Sequence, residues 1–222
     1  MFDEQPREPC QLYLISPLEV GGHFPARLER ALSAGSAGKH HVAAFQFRVK
    51  GVDDHTAARL AAPLQAICAA HDVAFIVNDS VALAKRVHAD GVHLGQDDGE
   101  IAEARQALGR DAQIGKTCHA SRHLALEAGE QGADYVAFGA FFPTVTKETS
   151  HEAGLDLLEW WQGLFELPCV AIGGITAANC APLVQAGADF LAVSAAVWQG
   201  DEAANVRALL TAIAAAQPVP AA

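Results

Sequence analysis

The sequence predicts an α/β protein folded as a single-domain (β/α)8 TIM barrel, on three observations. Eight short apolar runs recur along 222 residues, stretches of helical periodicity separate them, and no Pro/Gly/Ser-rich linker divides the chain. Runs apolar on both faces that alternate with helices describe a parallel sheet covered on both sides. Eight such units favour closure, and the length, long for an ordinary domain, is normal for a barrel.

The runs are LYLIS (12–16), AAFQFRV (43–49), AFIVND (74–79), GVHLG (91–95), QIGKTCH (113–119), YVAFGAF (135–141), CVAIGGI (169–175) and FLAVSAAV (190–197). Between them TAARLAAPLQAICAAH, IAEARQALG, SRHLALEAGEQG and AANCAPLVQAG carry the helical spacing. Three junctions are alike: ADGVHLG, GADYVAFG and GADFLAVS each end a helix in a small residue, place an Asp at the turn and start a strand. They read as a repeated half-unit of one barrel spanning 1–222, with frayed tails expected at 1–10 and 215–222.

Composition narrows the function. Hydrophobic residues make up 51% and charged residues 18%, so the chain can bury a large core. No apolar run approaches the roughly 20 residues that span a bilayer, and the acidic start MFDEQPREPC lacks a signal-peptide layout; the expected location is cytoplasmic. Cys10, Cys68, Cys118, Cys169 and Cys180 form no CxxC pair and read as reduced, mostly buried thiols. A formal net charge of −11 argues against nucleic acid and anionic membranes as partners. It also means that an anionic substrate needs local cations or a metal ion.

The stretch QFRVK (46–50) supplies such cations. Strand alternation puts Gln46, Arg48 and Lys50 on one face and Phe45, Phe47 and Val49 on the other. Barrel active sites lie at the carboxyl ends of the strands. Those positions hold Gln46, Arg48 and Lys50; Asn78 and Asp79; Gln96 and Asp98; Thr117 and His119; Thr144, Thr146 and Lys147; Gly173 and Gly174; Val193 and Ser194. Each has a plainer reading. Asp79 and Asp98 could be helix N-caps, Thr176 reads as one, and the Gln46–Arg48–Lys50 face could be an internal ion-pair network. Cys118 reads as filler and His119 could be a structural hydrogen-bonding residue. The other nine histidines read as surface residues. Lys116 stands out, because burying it on the helix side of its strand would be costly. The GGI turn after strand seven and VSAAV after strand eight, each opening a helix, suit a phosphate.

Taken together, QFRVK, IVND, DGVHLGQDD, GKTCH, GAFFPTVTK, AIGGI and AVSAA resemble, in order and spacing, the thiamine phosphate synthase family over roughly residues 43–200. The resemblance implies a (β/α)8 enzyme that joins hydroxymethylpyrimidine pyrophosphate to a thiazole phosphate with Mg²⁺, releasing pyrophosphate, and it suggests a homodimer. By the same resemblance Gln46, Arg48 and Lys50 hold the pyrimidine pyrophosphate, together with Asn78 and Lys147. Asp79 and Asp98 are Mg²⁺ ligands. Thr144, Thr146, Gly174, Val193 and Ser194 surround the thiazole phosphate, and Thr117 stands where the family usually has Ser. Two further departures are Ser80 in place of a common second Asp, and an approach to QFRVK, residues 34–44, that lacks the usual glycines. These bear on the subgroup and on substrate choice more than on the chemistry.

Three alternatives stay open at this level. A thiazole tautomerase of the same fold would use His119 as acid/base but needs no pyrophosphate clamp. A Schiff-base aldolase would use Lys50 or Lys147. A non-catalytic barrel would bind a thiamine precursor without turning it over.

Overall fold

The computed structural model describes residues 8–35, 41–143 and 152–217. Eight parallel strands close in sequence order, β1 (Gln11–Ile15), β2 (Val42–Phe47), β3 (Ala74–Asn78), β4 (Gly91–Leu94), β5 (Gln113–His119), β6 (Tyr135–Phe138), β7 (Cys169–Ile172) and β8 (Phe190–Val193), with β8 pairing back onto β1. Around them run α1 (Phe24–Gly35), α2 (Asp54–Ala70), α3 (Val81–Val87), α4 (Ile101–Leu108), α5 (Arg122–Glu130), α6 (Leu155–Leu164), α7 (Ala181–Gln185), the short α8 (Ala195–Trp198) and α9 (Glu202–Ala216). No helix among the described residues is long and apolar enough to cross a membrane. Residues 8–10 and 215–217, assigned to the tails, are described: Cys10 is buried, and Ala216 is on the buried face of α9.

Alternation along each strand creates two cores. Leu12 and Leu14, Phe45 and Phe47, Phe75 and Val77, and Val92 and Leu94 face outward into the layer shared with the helices. Tyr13, Ile15, Ile76, Tyr135, Ala137, Val170 and Ala192 fill the barrel itself. The outer face is almost purely apolar because both sheet and helices must dehydrate there. Helix α9 completes the ring against α1, where Arg27 and Arg30 both grip the buried Glu202 carboxylate, Arg27 Nε at 3.1 Å.

The repeated Asp has a physical role. Asp90 Oδ2 accepts from Phe75 N–H at 2.7 Å, Asp134 Oδ2 from Ile114 N–H at 2.6 Å, and Asp189 Oδ2 from Cys169 N–H at 2.8 Å. In each case the Asp's own N–H donates to the carbonyl of that same residue on the preceding strand. One Asp therefore satisfies both backbone groups where a strand enters the barrel, the pairing that buried backbone requires. Phe75 is fully buried, so Asp90→Ala is expected to orphan its N–H and cost about 1–3 kcal/mol. Urea denaturation of that variant beside Asp90→Asn, which keeps an acceptor, measures it.

The eight expected strands are present, with two local corrections. The ladder of β2 stops at Phe47, so Arg48 and Lys50 lie just beyond the strand. Ser16 closes the strand end by accepting from Arg48 N–H at 2.9 Å and donating to Arg48 carbonyl at 3.2 Å. The helix expected to open at Thr176 begins only at Ala181, where Pro182 suits a first turn. Thr176 is not a helix cap: Asn179 Oδ1 accepts its N–H at 2.7 Å, and the Asn179 amide donates to Gly174 carbonyl at 3.0 Å.

Candidate active site

A cavity of about 610 Å³ opens at the carboxyl ends of the strands. Every described residue that the sequence places at the carboxyl ends of the strands borders it: Gln46, Arg48, Lys50, Asn78, Asp79, Gln96, Asp98, Thr117, His119, Gly173, Gly174, Val193 and Ser194. Thr144, Thr146 and Lys147 lie outside the described residues.

On one wall Lys50 Nζ lies 3.4 Å from Asp79 Oδ2, and the Asp79 carboxyl touches that of Asp98. Neither acid is a cap. Ser80 caps α3, accepting from Leu83 N–H at 3.1 Å, and the cap position of α4 is Glu100. Asp79 takes a left-handed backbone (φ 66°), a conformation that Asp tolerates better than most residues. That turn redirects the chain at the strand end and leaves the carboxylate in the mouth. Asp98 Oδ2 accepts from Gly95 N–H at 2.8 Å. Partial burial, and then the neighbouring Asp79 carboxyl, push the Asp98 pKa up. Two carboxylates that repel each other in a half-dry cleft are relieved by a cation, and hard oxygen donors without soft partners suit Mg²⁺. No group of three or more His, Cys, Asp or Glu side chains among the described residues could hold a metal ion. A pair suffices for Mg²⁺, which commonly takes one or two carboxylates and completes its shell with water and substrate phosphate.

The floor of the cavity is a hydrogen-bonded chain that sequence reading missed. Gln46 Nε2 donates to Tyr13 Oη at 3.1 Å, and the Tyr13 and Tyr135 hydroxyls lie 2.9 Å apart. His93 Nδ1 lies 3.1 Å from Tyr135 Oη, and its Nε2 lies 2.8 Å from Thr117 Oγ1. Burial pushes the Tyr13 pKa up to about 12, so its phenol stays protonated. Thr117 is thus aimed by His93, and Gln46 by Tyr13. His93 is buried, which corrects its assignment to the surface. Alternation in GVHLG carried the signal, since outward Val92 and Leu94 force His93 inward. Gly115 makes the room, because a Cβ there would stand 2.0 Å from the Tyr135 ring.

Across the mouth, Gly173 and Gly174 follow β7 with φ of 104° and 62°. A Cβ on Gly174 would meet Pro143 carbonyl oxygen at 2.4 Å, so only glycine fits. Beside them Ser194 leads into α8, giving a wall of backbone and small side chains of the kind that admits phosphate in barrels. His119 ends β5 at a register shift against β6 with φ 51°. All five cysteines are buried, and burial raises the pKa of Cys118 to about 12, which leaves it filler and no nucleophile.

Fold and mouth define a class first: a (β/α)8 barrel whose strand-end cavity gathers cations, paired carboxylates and a glycine-rich turn. The chain belongs to the thiamine monophosphate synthase family, whose model matches residues 12–197. It is 71% identical over 210 residues to the thiamine-phosphate synthase of Erythrobacter litoralis, covering 94% of this chain and 97% of that one. It is 50% identical over 212 residues to the thiamine-phosphate synthase of Hyphomonas neptunium, covering 92% and 94% of the two chains. The solved thiamine phosphate pyrophosphorylase of Pyrococcus furiosus matches the fold with a TM-score of 0.80 at 29% identity, covering 95% of this chain and 98% of that one.

Proposed function

We propose that this barrel is a Mg²⁺-dependent thiamine phosphate synthase that couples hydroxymethylpyrimidine pyrophosphate to thiazole phosphate and releases pyrophosphate. Family membership supports the transferase activity. The observation that carries the finer reading is the wall on which Arg48, Lys50 and the touching pair Asp79–Asp98 meet beside Gln46. A leaving pyrophosphate carries several negative charges, which a chain of net charge −11 repels everywhere except at such a site.

In this scheme Gln46 and Asn78 bind and orient the pyrimidine substrate, with Gln46 held by Tyr13. Arg48 and Lys50 take up charge as the C–O bond to pyrophosphate breaks, and Lys147 is assigned the same task. The bonding pair leaves with pyrophosphate, and the pyrimidine methylene, now cationic, accepts the lone pair of the thiazole nitrogen as the C–N bond forms. That ring nitrogen carries no proton, so the step requires no general base. Asp79 and Asp98 would hold Mg²⁺, which when bound supplies Lewis-acid neutralisation of the leaving group. Thr144, Thr146, Gly174, Val193 and Ser194 are assigned to the thiazole phosphate and Thr117 to orienting substrate.

The test incubates the protein with both substrates, with and without Mg²⁺, and follows pyrophosphate and thiamine phosphate. One pyrophosphate per thiamine phosphate, only with Mg²⁺, is expected. Isomerisation of the thiazole without coupling would replace this reading by a tautomerase, and saturable binding without product by a non-catalytic barrel.

A further inference from the structure

Lys116 is the one residue that the sequence leaves without a purpose and that the chemistry above does not use. Its neighbours Gly115 and Thr117 face the barrel interior, so Lys116 points out of the barrel, where it is 8% exposed. An ammonium group there is costly, and an apolar side chain of the same length would pack at less expense. Among the described residues no carboxylate lies within ion-pair range of it. Nζ instead donates to two carbonyls, Gly95 at 2.9 Å and Gly99 at 3.0 Å.

Those carbonyls bracket the five-residue turn that follows β4 and contains Asp98. Gly95 is held from both sides: its carbonyl accepts from Lys116, and its N–H donates to Asp98 Oδ2 at 2.8 Å. Asp98 meanwhile presses against the like-charged Asp79, a repulsion that tends to swing the turn away from the mouth. We propose that Lys116 is a positioning residue, a staple fixing the 95–99 turn so that Asp98 stays beside Asp79 to receive a divalent cation. The inference rests on reading Asp98 as a metal ligand. It accounts for the buried ammonium, because only a multiple donor can hold two converging carbonyls.

Groups that orient metal ligands typically change metal affinity by about 10–100-fold when removed. In full-length Lys116→Met, the Mg²⁺ concentration at the midpoint of the Mg²⁺-dependent rise in Tm, measured with fixed inorganic pyrophosphate, is expected to increase roughly tenfold. Half-saturating Mg²⁺ in the coupling assay should rise in parallel, with turnover recovering at saturating Mg²⁺. A merely structural lysine would lower Tm equally at every Mg²⁺ concentration and leave the midpoint in place, which overturns the proposal. Asp98→Asn measured alongside separates the two levels. If it shifts the midpoint and Lys116→Met does not, the staple alone fails; if it shifts nothing, the metal reading fails and the staple falls with it. Should the methionine variant not fold, Lys116→Leu, which likewise offers no donor to the two carbonyls, is read by the same midpoint and the same criteria.

Discussion

Asp79→Asn and Asp98→Asn are each expected to lower Mg²⁺-dependent turnover on the order of a hundredfold or more while leaving thermal stability intact or improved. The stability half of this expectation comes from the sign of the Asp98 shift. Its folded-state pKa is raised, by partial burial first and by the Asp79 carboxyl next. In the window between the ordinary carboxylate value and the raised one, the folded state binds more protons than the unfolded state, so stability falls as pH rises through it. At neutral pH the ionised pair therefore costs folding free energy, and a neutral amide removes that cost while keeping an oxygen for Gly95 N–H. Loss of a helix cap would do the opposite, at about 1 kcal/mol, but the cap of α3 is Ser80 and that of α4 falls on Glu100. The same shift makes a proton compete with Mg²⁺, so half-saturating Mg²⁺ should rise as pH falls through the window. Melting curves and Mg²⁺ titrations of turnover across pH test both halves. Full turnover in both variants with a lowered Tm would make the carboxylates structural.

What could be read from the sequence, and what could not, divides along the range of the interaction. The eight strands were legible because alternation and apolar runs are local signals, and placing QFRVK, IVND and the GGI turn at strand ends was enough to bring them to one mouth. Whether Asp79 and Asp98 cap helices was not decidable locally, since an acid just before a helical pattern reads as a cap until the neighbouring Ser80 and Glu100 are seen to occupy the cap positions. The floor was hidden for another reason: Tyr13 and Tyr135 are 122 positions apart, and their hydrogen bond exists only because the barrel closes. Lys116 was visible as an anomaly, yet its carbonyl partners lie one unit back in the chain, at Gly95 and Gly99, where no periodicity points. Thr176 misled because a capping hydroxyl before a helical pattern is a real signal, overridden here by the Asn179 turn. The three repeated aspartates were seen as a motif, but their purpose depends on strand entry points that only the register reveals.

Lys50→Ala and His119→Asn should separate electrostatic catalysis from acid–base catalysis by opposite outcomes. Lys50 is half exposed and paired with Asp79 at 3.4 Å. An ion pair that open to solvent contributes at most about 1 kcal/mol to stability, so Tm should barely move on its removal. If Lys50 instead meets charge developing on the leaving pyrophosphate, its loss should cost roughly a hundredfold in turnover, the scale of one preorganised electrostatic group. His119 faces the same cavity and would be the natural acid/base of a tautomerase. Removing a general acid–base residue costs about 10²–10⁴-fold, whereas coupling through an unprotonated ring nitrogen has no proton for His119 to move. Asn is the better replacement because position 119 has φ 51°, which Asn adopts with less strain than Ala. His119→Asn is therefore expected to keep turnover within about tenfold of the parent, below the range for loss of an acid–base group. Steady-state formation of thiamine phosphate by both variants at saturating Mg²⁺ decides the matter. An inactive His119→Asn beside a nearly normal Lys50→Ala would remove charge stabilisation at this wall from the mechanism and assign the cavity to proton transfer.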